Sequence, residues 1–131
     1  MKIILIIFLV LIIFAYGWSS QSKNDNDQTR GYKNMDASDF EEFMQNNKTV
    51  LIDVRTPIEV AQGKIANALE INVMAGDFTA KVGKLSKDKT YLLYCRSGQR
   101  SAKACAIMNS QGFDQLINLK GGYKAWVKAH K

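Results

Sequence analysis

Residues 90–112, TYLLYCRSGQRSAKACAIMNSQG, join an apolar run to an alanine-rich run through a short polar loop. Residues 90–95 predict a buried strand, and residues 101–112 predict a helix that ends at a glycine. Cys95, Gly98 and two arginines lie between these elements. Because parallel sheets bind ligands outside the carboxyl ends of their strands, this loop is a candidate binding position.

A second strand and helix precede this unit. Residues 49–55, TVLIDVR, form an apolar run that ends in charges, which is typical of a strand buried on both sides. Thr56 is placed to cap the following helix, with Pro57 at its first position. Glu59 completes a capping box with Thr56, and Gly63 ends the helix.

The remaining segments continue the alternation of strand and helix. They are an edge strand at 31–35, a helix at 36–47, a strand at 68–73, a helix at 77–85, a strand at 114–120 and a glycine turn with a terminal helix at 121–130. In the first of these helices, Ser38 and Glu41 have capping-box spacing. The alternation from about residue 32 to 130 predicts an α/β fold with a mostly parallel sheet and helices on both faces.

The chain begins with an N-terminal hydrophobic segment. Residues 3–18 carry no charge, and Ala15 and Gly17 are the small residues at −3 and −1 of a possible secretory cleavage after Gly17. We therefore interpret residues 1–17 as a signal peptide or a membrane anchor, residues 18–31 as a flexible linker and residues 32–131 as the folded domain. Both interpretations place the domain outside the cytoplasm, as a periplasmic or secreted protein or one tethered to the membrane by residues 3–18.

Charge and composition limit the possible ligands. The formal net charge is +6, and the lysines are scattered rather than clustered. This pattern is typical of a solvated basic surface. The alternative interpretation is that the positive charge attracts anionic small molecules or membrane lipid. The sequence has no interleaved basic and aromatic residues and no zinc-ligand spacing of the kind that indicates nucleic-acid binding. Two cysteines and one histidine predict neither a disulfide framework nor a metal site, and no cofactor is expected.

Cys95 is the candidate nucleophile. It precedes a predicted helix N-terminus, where free N–H groups favour an anion. Gly98 allows a tight turn that directs N–H groups inward, and Arg96 and Arg100 add positive charge. All of these features lower the pKa of a thiol and so favour the reactive thiolate. Cys105 lies in an alanine-rich helix and is predicted to be a core residue.

Residues 32–130 resemble a single-domain rhodanese, a sulfurtransferase-like module. The resemblance rests on three motifs in the family's order: LIDVRTPIEVAQGKIANALEINV at 51–73, YCRSGQRS at 94–101 and LKGGYKAW at 119–126. It implies a five-stranded parallel sheet and a six-residue active loop. That loop consists of Cys95, Arg96, Ser97, Gly98, Gln99 and Arg100.

The resemblance also implies a two-step reaction. The Cys95 thiolate takes the outer sulfur of a small anionic donor such as thiosulfate and becomes a persulfide. A thiol or cyanide acceptor, or a redox-protein partner, then removes that sulfur. Arg96 and Arg100 are the cations available for the donor, and the sequence does not decide between them.

Other matching positions are expected to support the site. Asp53 is predicted to bond backbone groups near the loop, and Arg55 to pair with Glu59. The glycines at 121 and 122 are predicted to form a tight turn before the last helix. Lys64 and Ala66 replace a histidine and a proline that are common in the family, in a region that is mainly structural.

Two other functions use similar features. Cysteine phosphatases and arsenate reductases place five residues between the cysteine and the arginine of their loop, whereas four separate Cys95 from Arg100. The shorter loop favours a single sulfur over a tetrahedral oxyanion. The other alternative is a non-catalytic module that carries a persulfide or binds a protein partner.

Overall fold

The computed structural model describes residues 30–131 and contains a five-stranded sheet. Its strands are β1 (Lys33–Met35), β2 (Thr49–Asp53), β3 (Leu69–Glu70), β4 (Thr90–Tyr94) and β5 (Leu116–Leu119). The order across the sheet is β1-β5-β4-β2-β3, and every pairing is parallel. The predicted parallel sheet is therefore confirmed. Since β4 is central, the loop that follows it lies at the middle of the sheet's carboxyl edge.

Helices cover both faces of the sheet. They are α1 (Ala37–Met44), α2 (Pro57–Ala61), α3 (Phe78–Gly83), α4 (Gln99–Ser110) and α5 (Gly122–Ala129). Buried side chains of α3 and α4 form one apolar cluster with the strands, and Cys105 belongs to it as predicted. Residues of α1 and α5 contribute to a second cluster, against which Trp126 packs. The two clusters hold β4 between them because its side chains alternate in direction.

The helix starts differ in how well the sequence predicts them. The capping box of Thr56 and Glu59 is present at α2, with Pro57 at the helix start. At α1 the predicted cap is wrong: Asp36, not Ser38, accepts the N–H of Asp39, at 3.0 Å. Asp36 has extended backbone angles, whereas Ser38 already lies inside the helix and donates its hydroxyl to Asp36.

The predicted N-terminal segment at 1–17 and residues 18–29 of the predicted linker lie outside the described residues. From residue 30 onward, none of the helices has the length and apolar character needed to cross a membrane. The signal peptide or anchor and the extracytoplasmic location therefore stay predictions.

Candidate active site

Cys95 follows the last residue of β4, and its sulfur lies inside the loop that connects β4 to α4. The N–H of Gly98 donates to the Cys95 Sγ at 3.1 Å. Gly98 has a φ of 96°, and a Cβ there would lie 3.1 Å from the carbonyl oxygen of Leu119. Because both the angle and the close contact disfavour a side chain, glycine is required for the loop to curl around the sulfur.

Ser101 is a site residue that the sequence analysis missed. It is the third residue of α4 and is fully buried, and its hydroxyl donates to the Cys95 Sγ at 3.4 Å. The first turn of a helix directs N–H groups and short side chains toward whatever lies at its N-terminus. A serine in the first turn of the helix that follows a candidate cysteine was the sequence signal that could have identified Ser101.

These contacts set the charge of the thiol. Burial raises the pKa of Cys95, but hydrogen bonds from the Ser101 hydroxyl and from the N–H groups of Ser101, Ser97 and Gly98 outweigh it. The pKa therefore lies below its ordinary value, and the thiolate is favoured. The main lowering comes from hydrogen-bond donors of the loop rather than from the two arginines.

Cys105 contrasts with Cys95. Both cysteines are free and both are buried. Burial raises the pKa of Cys105 to about 12, so its thiol stays protonated at neutral pH. Of the two, only Cys95 combines burial with side-chain and loop donors aimed at its sulfur, which makes it the candidate nucleophile among the described residues.

Arg100 is bound by a carboxylate. Its Nη1 and Nη2 donate to the two oxygens of Glu59, at 2.8 and 2.6 Å. The hydrogen bonds from Arg100 lower the pKa of Glu59 to about 2, so the pair is fully charged at neutral pH. The predicted pairing of Glu59 with Arg55 is therefore wrong, and α2 is joined to the active loop instead.

Arg55 is instead bound inside a separate buried network. Its guanidinium donates to Asp53, with a shortest distance of 2.7 Å, and to the Gly63 carbonyl at 2.8 Å. It also lies over the rings of Tyr94 and Tyr123. Asp53 accepts the backbone N–H of Arg55 and the Tyr94 hydroxyl. Since Arg55 is 5% exposed, this arrangement fits the predicted supporting role.

The start of α5 holds the loop from the other side. Tyr123 N–H donates to the Cys95 carbonyl at 2.7 Å, and Lys124 N–H donates to the Arg96 carbonyl at 3.2 Å. The predicted glycine turn is present, with positive φ angles at Gly121 and Gly122. A Cβ on Gly122 would lie 2.5 Å from the Cys95 and Arg96 carbonyl oxygens. The second glycine therefore allows the helix to reach the loop backbone.

The remaining loop side chains point outward. Arg96, Ser97 and Gln99 are exposed. Within residues 30–131, no carboxylate lies within ion-pair distance of Arg96. The structure thus brings Cys95, Gly98 and Ser101 together around the sulfur, with Arg96 as an uncompensated cation on the loop.

A cysteine loop at the carboxyl edge of a parallel sheet is consistent with the family that the comparisons identify. The model of the rhodanese-like domain matches residues 36–129. The chain belongs to the rhodanese-like family. This confirms the resemblance drawn from the three sequence motifs, whose loop is the one that surrounds Cys95.

Individual relatives agree with the rhodanese-like assignment. A sulfurtransferase of Allochromatium vinosum is 40% identical over 79 residues, which cover 60% of this chain and 72% of the relative. YtwF of Bacillus subtilis, provisionally named a sulfurtransferase, is 42% identical over 86 residues, covering 66% and 81%. A rhodanese-related protein of Thermoplasma volcanium has a crystal structure that superposes with a TM-score of 0.66 at 30% identity, covering 75% and 93%.

Proposed function

We propose that this rhodanese-like protein transfers a sulfane sulfur through a persulfide on Cys95. The observation that carries the proposal is the convergence of the Gly98 N–H and the Ser101 hydroxyl on the Cys95 sulfur. These donors stabilise the thiolate before the reaction. The same ring of N–H groups can stabilise the negative outer sulfur of the persulfide afterwards.

The chemistry is balanced without an external oxidant or reductant. The Cys95 thiolate attacks the outer sulfur of a donor such as thiosulfate, a new S–S bond forms, and sulfite leaves with the electron pair of the broken bond. An acceptor thiolate or cyanide then attacks the outer sulfur of the persulfide. The products are an acceptor persulfide or thiocyanate, and the Cys95 thiolate is restored.

Arg96 is the cation that best fits an anionic donor. Arg100 is neutralised by Glu59 through two short contacts, whereas Arg96 directly follows Cys95 in the loop and has an exposed side chain. This difference also disfavours a phosphatase, because phosphate chemistry at a cysteine loop requires the loop arginine to bind the oxyanion. Arg100 is occupied by a carboxylate instead.

The test is donor-dependent sulfur loading. Incubation of the protein with thiosulfate, followed by intact-mass measurement, should add one sulfur atom to the wild type and none to Cys95→Ser. Cys105→Ala is the matched control and should load normally, because Cys105 is a buried core thiol. Absence of loading with thiosulfate and with other sulfane donors would overturn the proposal and favour a binding module.

Addition of an acceptor separates an enzyme from a carrier. If cyanide or a small thiol removes the sulfur in repeated cycles, the protein turns over as an enzyme. If loaded Cys95 keeps its sulfur in the presence of small acceptors, it is a carrier that requires a protein partner.

The location is a further part of this proposal. The uncharged run at 3–18 supports an extracytoplasmic domain, either released after Gly17 or tethered by that run. N-terminal sequencing of the native protein and fractionation of cells test it. A mature chain that starts at Met1 and occurs in the cytosolic fraction would contradict it.

A further inference from the structure

We propose that Asn118 is a positioning residue that holds the active loop in its reactive form through Gly98. This inference rests on the proposed role of Cys95 as the sulfur carrier. Asn118 lies on β5, next to Leu93 of β4 on one side and Asn34 of β1 on the other. It is 3% exposed, in a strand whose other residues are buried and apolar.

Asn118 is used here as a hydrogen-bond donor. Its Nδ2 donates to the Gly98 carbonyl at 3.1 Å and to Asn34 Oδ1 at 2.9 Å. Its own Oδ1 is buried and has no hydrogen-bond partner within the part of the chain that the structure describes. A buried acceptor without a partner is unfavourable for folding, and an apolar residue would avoid that penalty.

Gly98 links the Asn118 hydrogen bond to the sulfur of Cys95. Gly98 donates its N–H to the Cys95 Sγ, and its carbonyl accepts from Asn118 and from the N–H of Ala102. Because glycine rotates more freely than other residues, its φ and ψ need fixing from both ends. Asn118 supplies a fixing contact from the rigid sheet, in addition to the first hydrogen bond of α4.

Few other groups can fix the conformation of Gly98. A cavity of about 490 Å³ opens beside the contact, and its lining includes Ser97, Gly98 and Asn118. Side-chain packing therefore does not hold Gly98 from that side. Without the Asn118 donor, the Gly98 carbonyl keeps only the N–H of Ala102 as a hydrogen-bond partner, and the Gly98 N–H that points at Cys95 is less firmly directed.

The test compares stability with thiol reactivity. In Asn118→Leu we expect the pKa of Cys95 to rise and the rates of alkylation and sulfur loading at pH 7 to fall about threefold to tenfold, since one anchoring hydrogen bond is lost. The melting temperature should change little, because removal of the buried oxygen without a partner offsets the loss of the two hydrogen bonds from Nδ2. The thiol pKa is measured from the pH dependence of iodoacetamide alkylation, which requires no sulfur transfer.

Two further variants keep the inference falsifiable. Asn118→Val carries the same test if leucine does not fit the site. Asn109→Leu is the matched control: Asn109 donates to the Phe113 carbonyl, away from the loop, so its loss should lower stability and leave the Cys95 pKa unchanged. An unchanged Cys95 pKa in the Asn118 variants would overturn the inference. Failure of the wild type to load sulfur would overturn the proposed function instead.

Discussion

Arg100 and Glu59 form a two-point ion pair between positions 41 residues apart, with N–O distances of 2.8 and 2.6 Å. Arg100 belongs to the active loop and Glu59 to α2, so the pair joins the two segments that follow β4 and β2. Glu59 also completes the cap of its own helix. One carboxylate thus fixes a helix start and the closing residue of the loop.

Replacement of Glu59 by glutamine should lower stability in a pH-dependent way. The pKa of Glu59 falls from an ordinary 4.5 to about 2 in the folded chain, so its stabilising charge is fully present above pH 4.5. We expect Glu59→Gln to lose about 1 kcal/mol at pH 7, since the pair is about a quarter exposed. The deficit should shrink as the pH falls from 4.5 toward 2.

Urea unfolding at pH 7 and pH 3 measures this difference. Glu42→Gln removes an exposed carboxylate from α1 and serves as the matched control, with little effect at either pH. A deficit of equal size at both pH values would mean that the charge of Glu59 does not stabilise the fold.

Loss of the Ser101 hydroxyl should make Cys95 less reactive. Ser101→Ala removes the side-chain donor at 3.4 Å and so raises the pKa of the thiol. At pH 7 a smaller fraction is then thiolate, and we expect alkylation to slow roughly threefold to tenfold. Ser97→Ala is the control, because Ser97 is exposed and contributes through its backbone N–H. Equal alkylation rates for the two variants would contradict a role of the Ser101 hydroxyl in activating Cys95.

Arg96 should determine affinity for anionic donors. We expect Arg96→Gln to raise the KM for thiosulfate about threefold to tenfold, because one exposed positive charge on the Cys95 loop is lost. Added salt should weaken thiosulfate binding to the wild type more than to the variant. Lys103→Gln, which removes an exposed charge from α4, is the control. If both substitutions raise KM equally, general surface charge rather than Arg96 attracts the donor.

Gly122 should tolerate no side chain. Its φ is 62°, and a Cβ would overlap the Cys95 and Arg96 carbonyls at 2.5 Å. We expect Gly122→Ala to destabilise the fold by about 2 to 4 kcal/mol and to reduce sulfur loading. Gly76→Ala is the matched control, since a Cβ there meets nothing within 4 Å, and its effect should stay within about 1 kcal/mol. Chemical denaturation measures the free energy of unfolding of both variants, and equal losses would contradict the prediction.

The sequence predicted elements whose signals are local. The apolar runs at β2 and β4 and the capping box of Thr56 and Glu59 each depend on a few neighbouring residues, and the structure confirms them. The glycine turn before α5 was predicted for the same reason. The Cys95 loop was recognised because its residues are contiguous.

Contacts between distant segments were not predicted. Arg55 and Glu59 are four positions apart, which suggested an ion pair, but Arg55 points back to Asp53 while Glu59 reaches Arg100. The sequence predicts Asn118 only as part of a strand, because its contact with Gly98 forms only when β5 and the loop are packed together. Such pairings depend on strand order, which no local pattern encodes.

The N–H groups of Tyr123 and Lys124 donate to the carbonyls of Cys95 and Arg96, so the last helix binds a loop that lies 28 residues earlier in the chain. During synthesis, the loop backbone cannot reach this arrangement until the C-terminal helix has formed. The cysteine therefore gains its full set of structural supports only when the domain is finished. A chain that ends before α5 contains the same thiol, but the carbonyls of Cys95 and Arg96 then lack the N–H donors of that helix.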